Sequence, residues 1–288
     1  MKRATPPLPA ELPAFSPDGR WGGRLTQKPL PEADESLERL TAAERRRLAE
    51  IWLLRSGMER RVGDSFAIIH AALTRRRATG GGAAAPLCAL AHRAVDDELR
   101  HTELSRLVAS HFAGRALAPA PRLVLEPPRH KGASPALRDT LYVVGQCVLN
   151  ETTAGVFLES CLEVAEGELA RAALRELLSD EIEHGRLGWA YLASLPVDER
   201  RAVSPWLLPM AFLNLRQWRY ETPVDERHTD GLARHGAPPA ELLHGALVDA
   251  LRTLIVPGLK ELEIETAPVE EWLDAGADTT RSPGSRDT

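Results

Sequence analysis

The sequence predicts an all-α fold: a four-helix bundle with a long crossover between its second and third helices, plus extra C-terminal helices. Three observations predict it. Apolar residues recur at helical spacing through residues 41–195. Caps and prolines mark the starts of four segments, each about 25 to 35 residues long, which suits a bundle. A proline-rich, basic stretch at 116–132 falls between the second and third segments, where a bundle with one crossover needs its long connection.

Each element has its own signal. Thr41-Ala42-Ala43-Glu44 is a capping box, in which the threonine hydroxyl and the glutamate each satisfy an amide left open at the helix start. It opens a first helix that runs to about Arg76 and breaks at Gly80-Gly81-Gly82. Pro86 suits the first turn of a second helix, where its missing N–H costs nothing, and that helix ends near Gly114. Ser134-Pro135 is a cap followed by a first-turn proline, starting a third helix to about Ala165. Gly167 marks a short turn. A fourth helix runs from about Glu168 to Leu195 and stops before Pro196, whose ring disfavours helical backbone in the residue before it. Ser204-Pro205 opens a helix to about Tyr220, and Pro239 opens one to about Val256; both are expected to pack on the bundle. No stretch reads as a convincing strand.

The chain thus divides into a Pro-rich arm (1–40, with seven prolines), the bundle (41–195), additional helices (196–274) and a Gly, Ser, Thr and Asp-rich tail (275–288) expected to be loose. With 43% hydrophobic and 27% charged residues among 288, the chain can bury a sizeable core. Its net charge of −5 gives no basic surface for nucleic acid. A membrane span needs about 18 consecutive apolar residues, and none is expected here. The first ten residues carry two basic residues and then prolines where a secretory signal needs an apolar core, so a cytoplasmic location is expected. Three cysteines (Cys88, Cys147, Cys161) argue against a disulfide framework and read as small buried apolar residues.

The chemistry concentrates in two short segments. The second helix contains Asp97-Glu98-Leu99-Arg100-His101, and the fourth contains Asp180-Glu181-Ile182-Glu183-His184. Residues three apart share a helix face, so each Glu and His point the same way. Oxygen and nitrogen donors together suit iron or manganese. Chance alone gives about one acid-x-x-His pair from 41 acidic residues and 9 histidines in 288 (41 × 9/288 ≈ 1.3), and four occur. Asp225/His228 and Glu241/His244 lack the preceding Asp, and Glu241 sits in a first helical turn where it favours the helix dipole.

Facing separates the pairs further. Glu98 shares its side of the helix with Ala91, Ala94, Val95 and Phe112, whereas Asp97, Arg100 and Glu103 turn away. Glu181 shares its side with Leu174, Leu177, Leu178 and Leu192. A carboxylate buried on an apolar face costs several kcal/mol unless compensated, and a metal would compensate it. Helix one offers Glu59 among Leu48, Trp52, Val62, Phe66 and Leu73, and helix three offers Glu151 among Val144, Val148 and Leu158. The order is Glu59, Glu98/His101, Glu151, Glu181/His184, with gaps of 39, 53 and 30 residues. The long gap spans the crossover.

This pattern over residues 41–195 resembles the ferritin-like di-iron carboxylate proteins, in which two helices give one Glu each and the other two give Glu-x-x-His. The resemblance implies two iron ions (or a Mn/Fe pair) bridged by Glu98 and Glu181, one capped by Glu59 with His101 and the other by Glu151 with His184. It also implies that Asp97 orients His184 and Asp180 orients His101. The implied activity is an O2-dependent di-iron oxygenase or oxidase acting on a small organic substrate, with a reductase or ferredoxin as electron donor and a monomer or homodimer as the assembly. A ferroxidase or iron-storage protein and a non-catalytic ferritin-like subunit share the ligand order. The residues after Pro196, including Trp206, Leu207, Leu208 and Trp218, suit a roof over a substrate pocket and would obstruct a storage shell. The di-iron N-oxygenases of arylamines resemble the chain in gap pattern and size, but carry a further ligand His at the position of Leu177. Glycines follow ligands by four residues (Gly63, Gly155, Gly185, Gly188), either to open space beside the metals or to let helices cross closely. A pocket is expected to reach the metals between Glu151, Gly155 and Gly188.

Overall fold

The computed structural model describes residues 26, 28, 30–31, 34–80, 85–221 and 230–280. Much of the expected arm, Gly81 and Gly82, the Asp225/His228 pair and residues 281–288 of the tail lie outside them. The described chain is helical, with no extended strand among the described residues.

The capping box forms as expected. The Glu44 amide donates to the Thr41 hydroxyl (3.2 Å), and the Thr41 amide donates to the Glu44 carboxylate (2.8 Å). It starts α1 (Ala42–Ala78), which pairs along its length with α2 (Ala85–Ala113). Gly114 takes a left-handed backbone (φ +65°) that favours glycine, and there α2 ends. The crossover, residues 115–134, has no regular structure but is strapped down. Arg122 holds Asp64 of α1 through both guanidinium and carboxylate (2.9–3.1 Å), and Arg106 donates to the Leu117 carbonyl (2.7 Å).

The third helix is one rod built in three parts: α3 (Pro135–Val143), a π segment (Val144–Asn150) and α4 (Glu151–Val164). The Ser134 cap and first-turn Pro135 start it as expected. The π segment is not visible in a 3.6-residue pattern. Its wider turn aligns side chains five apart, so the Gln146 amide reaches the Glu151 carboxylate. Gly167 precedes α5 (Glu168–Ser194), and Asp34 of the arm accepts a bond from the Leu169 amide at that start (3.0 Å).

After Pro196 come α6 (Val197–Arg201), α7 (Ser204–Glu221), α8 (Asp230–Ala233), α9 (Ala240–Ala250), a second π segment (Leu251–Ile255), α10 (Val256–Glu261) and α11 (Ala267–Asp274). Helix α7 packs on the first π segment and α9 on α4, so the additions cover the α3–α4 side of the bundle. The run Ala240–Glu261 is long and apolar enough by composition to cross a membrane, contrary to the sequence expectation. Its Leu243, Leu247, Leu251 and Ile255 are buried in the protein core, while Leu242 and Leu254 are exposed. Of residues 275–280, read as loose tail, Ala277 and Thr279 are buried and the other four are exposed; Arg219 donates to the Thr279 hydroxyl (3.2 Å).

The main core lies between α1, α2, the π segment, α4 and α5, and buries Trp52, Phe66, Leu104, Leu149 and Tyr191 completely. All three cysteines are buried thiols. Helix spacing is set partly by glycine. A Cβ on Gly188 of α5 would lie 2.7 Å from the Cys147 Cβ and 2.8 Å from the Cys147 carbonyl carbon. Gly188→Ala is therefore expected to push α5 off the π segment and cost about 1–3 kcal/mol. Gly245→Ala, on an exposed face of α9 with nothing within 4 Å, is expected to gain about 0.5–1 kcal/mol. Chemical denaturation of both variants checks the pair; equal effects would contradict the close crossing.

Candidate metal centre

All six sequence-predicted ligands converge. Glu98 and His101 come from α2, and Glu181 and His184 from α5; these four are buried. Glu151, the first residue of α4, is buried too, and Glu59 of α1 is half-buried. Their donor atoms form two overlapping groups, each within 4.8 Å: Glu59, Glu98, His101 and Glu181, and Glu98, Glu151, Glu181 and His184. Glu98 and Glu181 belong to both groups. The Glu241/His244 pair is not part of any such group among the described residues.

Each histidine is aimed by an aspartate from the opposite helix. The His101 Nε2 lies 3.0 Å from the Asp180 carboxylate, and the His184 Nε2 lies 3.5 Å from that of Asp97. The His101 Nε2 is hydrogen-bonded to Asp180, while the His184 Nε2 only approaches Asp97; Nδ1 of each ring faces the cluster, 3.1–3.6 Å from oxygens of Glu98 and Glu181. Both oxygens of Glu98, one of Glu181, both Nδ1 atoms and the outward Nε2 of His184 are buried without a well-directed hydrogen bond. Buried polar atoms are nearly always satisfied, so this set of orphans marks a place for a cation. The buried carboxylate and imidazole groups could hold a metal ion.

The electrostatics agree. Burial, then the neighbouring Glu98, pushes the Glu59 carboxyl well above its usual range, and burial with Glu181 does the same to Glu151. Burial opposes ionising Glu181, but the neighbouring Glu151 carboxyl and the His101 and His184 imidazoles overcome it and hold that carboxyl well below its usual range. Burial likewise opposes charge on His101, and Glu181 and Glu98 overcome it, leaving a pKa of about 9. His184 is also raised, against burial, by Asp97, Glu181 and Glu98. Without a metal, protons on the imidazoles keep four carboxyl groups together in an apolar core.

Sequence reasoning missed several supporting residues. Arg100, expected to turn outward, pairs with Asp180 and lies 3.7 Å from Glu176, so the aspartate that aims His101 is itself anchored. Glu103, also expected outward, is buried against Arg106. Gln146 donates to Glu151 and accepts from the Ser65 hydroxyl (2.8 Å), which stands 2.8 Å from the Tyr142 hydroxyl. Gln146 was illegible because only π spacing aligns it with Glu151. Phe66, correctly placed on the Glu59 face, packs on the His184 ring at 4.9 Å.

A cavity of about 450 Å³ opens beside the cluster, with Glu59, Glu151 and Glu181 in its wall. The crossover contributes Val124 and Pro128, the π segment Gln146 and Asn150, and α7 Met210 and Trp218. None of the four glycines lines it. Gly63 and Gly188 instead mark close crossings, against Glu98 (3.2 Å) and Cys147 respectively, so the expected opening between Glu151, Gly155 and Gly188 is replaced by one on the α1–α3 side. None of the family models, curated proteins or solved structures compared with the chain matches it.

The sign of the pH dependence follows from the raised groups. An imidazole with a folded pKa near 9 contributes stability that is fully present below its unfolded pKa, about 6.5, and is lost as pH rises through 9. Raised Glu59 and Glu151 act in the same direction. The metal-free protein is therefore expected to lose thermal stability from pH 6.5 to 9, measured by calorimetry after chelation. A flat or rising midpoint would contradict the coupling of these groups.

Proposed function

We propose that the chain is a ferritin-like non-haem di-iron oxygenase or oxidase that uses O2 to oxidise a small organic substrate. The observation that carries this reading is the pair of overlapping four-donor groups opening on the cavity through Glu59, Glu151 and Glu181. Glu59 with His101 would hold one ion, Glu151 with His184 the other, and Glu98 with Glu181 would bridge them. Two irons bound there supply the redox chemistry with O2. The protein's own part is to aim the imidazoles through Asp97 and Asp180, to fix Glu151 through Gln146, and to exclude bulk water with Phe66 and the surrounding leucines. The crossover and α7 enclose the substrate beside the cluster.

A ferroxidase or storage role is the second reading, favoured only by the ligand order. Iron-loaded protein is expected to hold about two metals per chain, and Glu98→Ala or Glu181→Ala to lose both. In light scattering the molecule is expected to be a monomer or dimer. A large shell, or iron uptake far above two per chain, would refute the oxygenase reading. One metal per chain would refute the bridged pair.

The aspartates give a graded test. Asp180→Ala is expected to weaken iron binding by ~10 to 100-fold. Asp97→Ala should weaken it less, because the Asp97 contact is 3.5 Å against 3.0 Å for Asp180. Competition titration with a chelator reads both; equal losses would reject the ranking.

A further inference from the structure

Two side-chain amides reach the same oxygen of Glu151. Gln146 donates to Oε1 through Nε2, and the Asn150 Nδ2 stands 3.4 Å from the same atom. An amide can present either its NH2 or its carbonyl, and each of these two is turned by a donor on its carbonyl side. The Trp218 indole, which can only donate, meets the Asn150 Oδ1 at 3.1 Å. The Ser65 hydroxyl donates to the Gln146 Oε1 at 2.8 Å. That uses the one proton a serine hydroxyl has, so its 2.8 Å contact with the Tyr142 hydroxyl takes the tyrosine's proton. Tyr142 keeps that proton to share, since burial pushes its pKa up to about 12. The direction of both chains is therefore fixed: Tyr142 to Ser65 to Gln146 to Glu151, and Trp218 to Asn150 to Glu151.

Both chains begin on the cavity wall, which Tyr142 and Trp218 line together with Gln146, Asn150 and Glu151. They gather four elements onto one carboxyl: Tyr142 lies on α3, Ser65 on α1, Gln146 and Asn150 on the π segment, and Trp218 on α7. Among the described residues the charged wall side chains outside the cluster join neither chain. Arg61 is paired with Glu221 (3.1 Å), Glu126 is exposed, and Arg55 is held by the Gly236 carbonyl (3.1 Å). A carboxylate can meet a cation through either oxygen. With two N–H groups on Oε1, the lone pairs there are taken and the plane of the carboxyl is set, so Oε2 is the oxygen left for a cation.

We propose that Tyr142 and Trp218 are positioning residues for the metal centre: through Ser65 and Gln146, and through Asn150, they hold Oε1 of Glu151 and leave Oε2 for the ion that Glu151 shares with His184. A molecule in the cavity would lie against the heads of both chains. The proposal rests on the di-metal part of the oxygenase reading and needs none of its O2 chemistry.

The test is titration of the metal-free protein with Co(II), whose visible absorption follows the oxygen and nitrogen donors around it, in competition with a chelator. Tyr142→Phe and Trp218→Phe each remove the donor at the head of one chain. Each is expected to weaken one of the two cobalt ions by about three- to ten-fold and alter its absorption, with the other ion within about two-fold of the wild type. Ser65→Ala cuts the first chain in its middle, so adding Tyr142→Phe to it should cost nothing further. Tyr191→Phe is the control. It removes a buried tyrosine hydroxyl that meets Thr140 of α3 (2.9 Å) outside either chain, and should leave both ions within about two-fold.

Unchanged cobalt affinity in both Tyr142→Phe and Trp218→Phe would overturn the proposal, as would an equal loss in Tyr191→Phe. Should either head variant not fold, Ser65→Ala decides in its place, and unchanged affinity there overturns the proposal. A wild-type protein that takes up no cobalt would remove the di-metal reading and this proposal with it. Two ions bound, with the variants unchanged, would remove the proposal alone. Failure of the iron-loaded protein to consume O2 would remove the oxygenase reading and leave the positioning role standing.

Discussion

Placing four carboxyl groups and two imidazoles in the middle of an apolar helix bundle is the constraint on which the rest of the structure depends. Glu98, Glu151, Glu181, His101 and His184 are all buried, and the donors of each group stand within 4.8 Å of one another. Like charges at that distance in a low-dielectric core repel strongly unless something positive lies among them. In the metal-free chain that positive charge is the proton on each imidazole, which is why the carboxyls are driven apart, with Glu181 strongly acidic and Glu59 and Glu151 held protonated. A cation would replace those protons, so metal affinity and proton release are one equilibrium.

The surrounding structure keeps this arrangement from relaxing. Asp180 is gripped by Arg100 while it aims His101, so the imidazole cannot turn its Nδ1 away without breaking an ion pair. The π segment costs helix regularity and gives Gln146 a line to Glu151 that an α turn would deny. The absence of a side chain at Gly188 lets α5 approach that segment closely. These features lie on different helices and act on the same six groups. Helix packing and site geometry are therefore one problem here.

The cavity has a different origin. Its floor belongs to the bundle, but the crossover and α7 supply much of its wall. The crossover is irregular yet pinned by Arg122 to Asp64 and by Arg106 to Leu117, so a connection without regular structure still has a defined place. Such loops carry function well because a rigid scaffold fixes their ends.

The sequence by itself determined the four long helical stretches of the bundle and the six side chains that gather between them. Thr41-x-x-Glu44, Ser134-Pro135 and Pro196 are local signals, acting through amides and ring sterics within a few residues, so they need no tertiary context. Glu59, Glu98, Glu151 and Glu181 were legible because a carboxylate within an apolar stripe is expensive and therefore conspicuous, and His101 and His184 because three-residue spacing shares a face. What only the tertiary structure decided is what depends on distance across helices. Gln146 meets Glu151 through a π turn that hydrophobic period does not encode. Arg100 turns inward because Asp180 and Glu176 wait on α5. The glycines proved to be crossing points at Gly63 and Gly188 rather than an opening, since a missing side chain reads the same in either use.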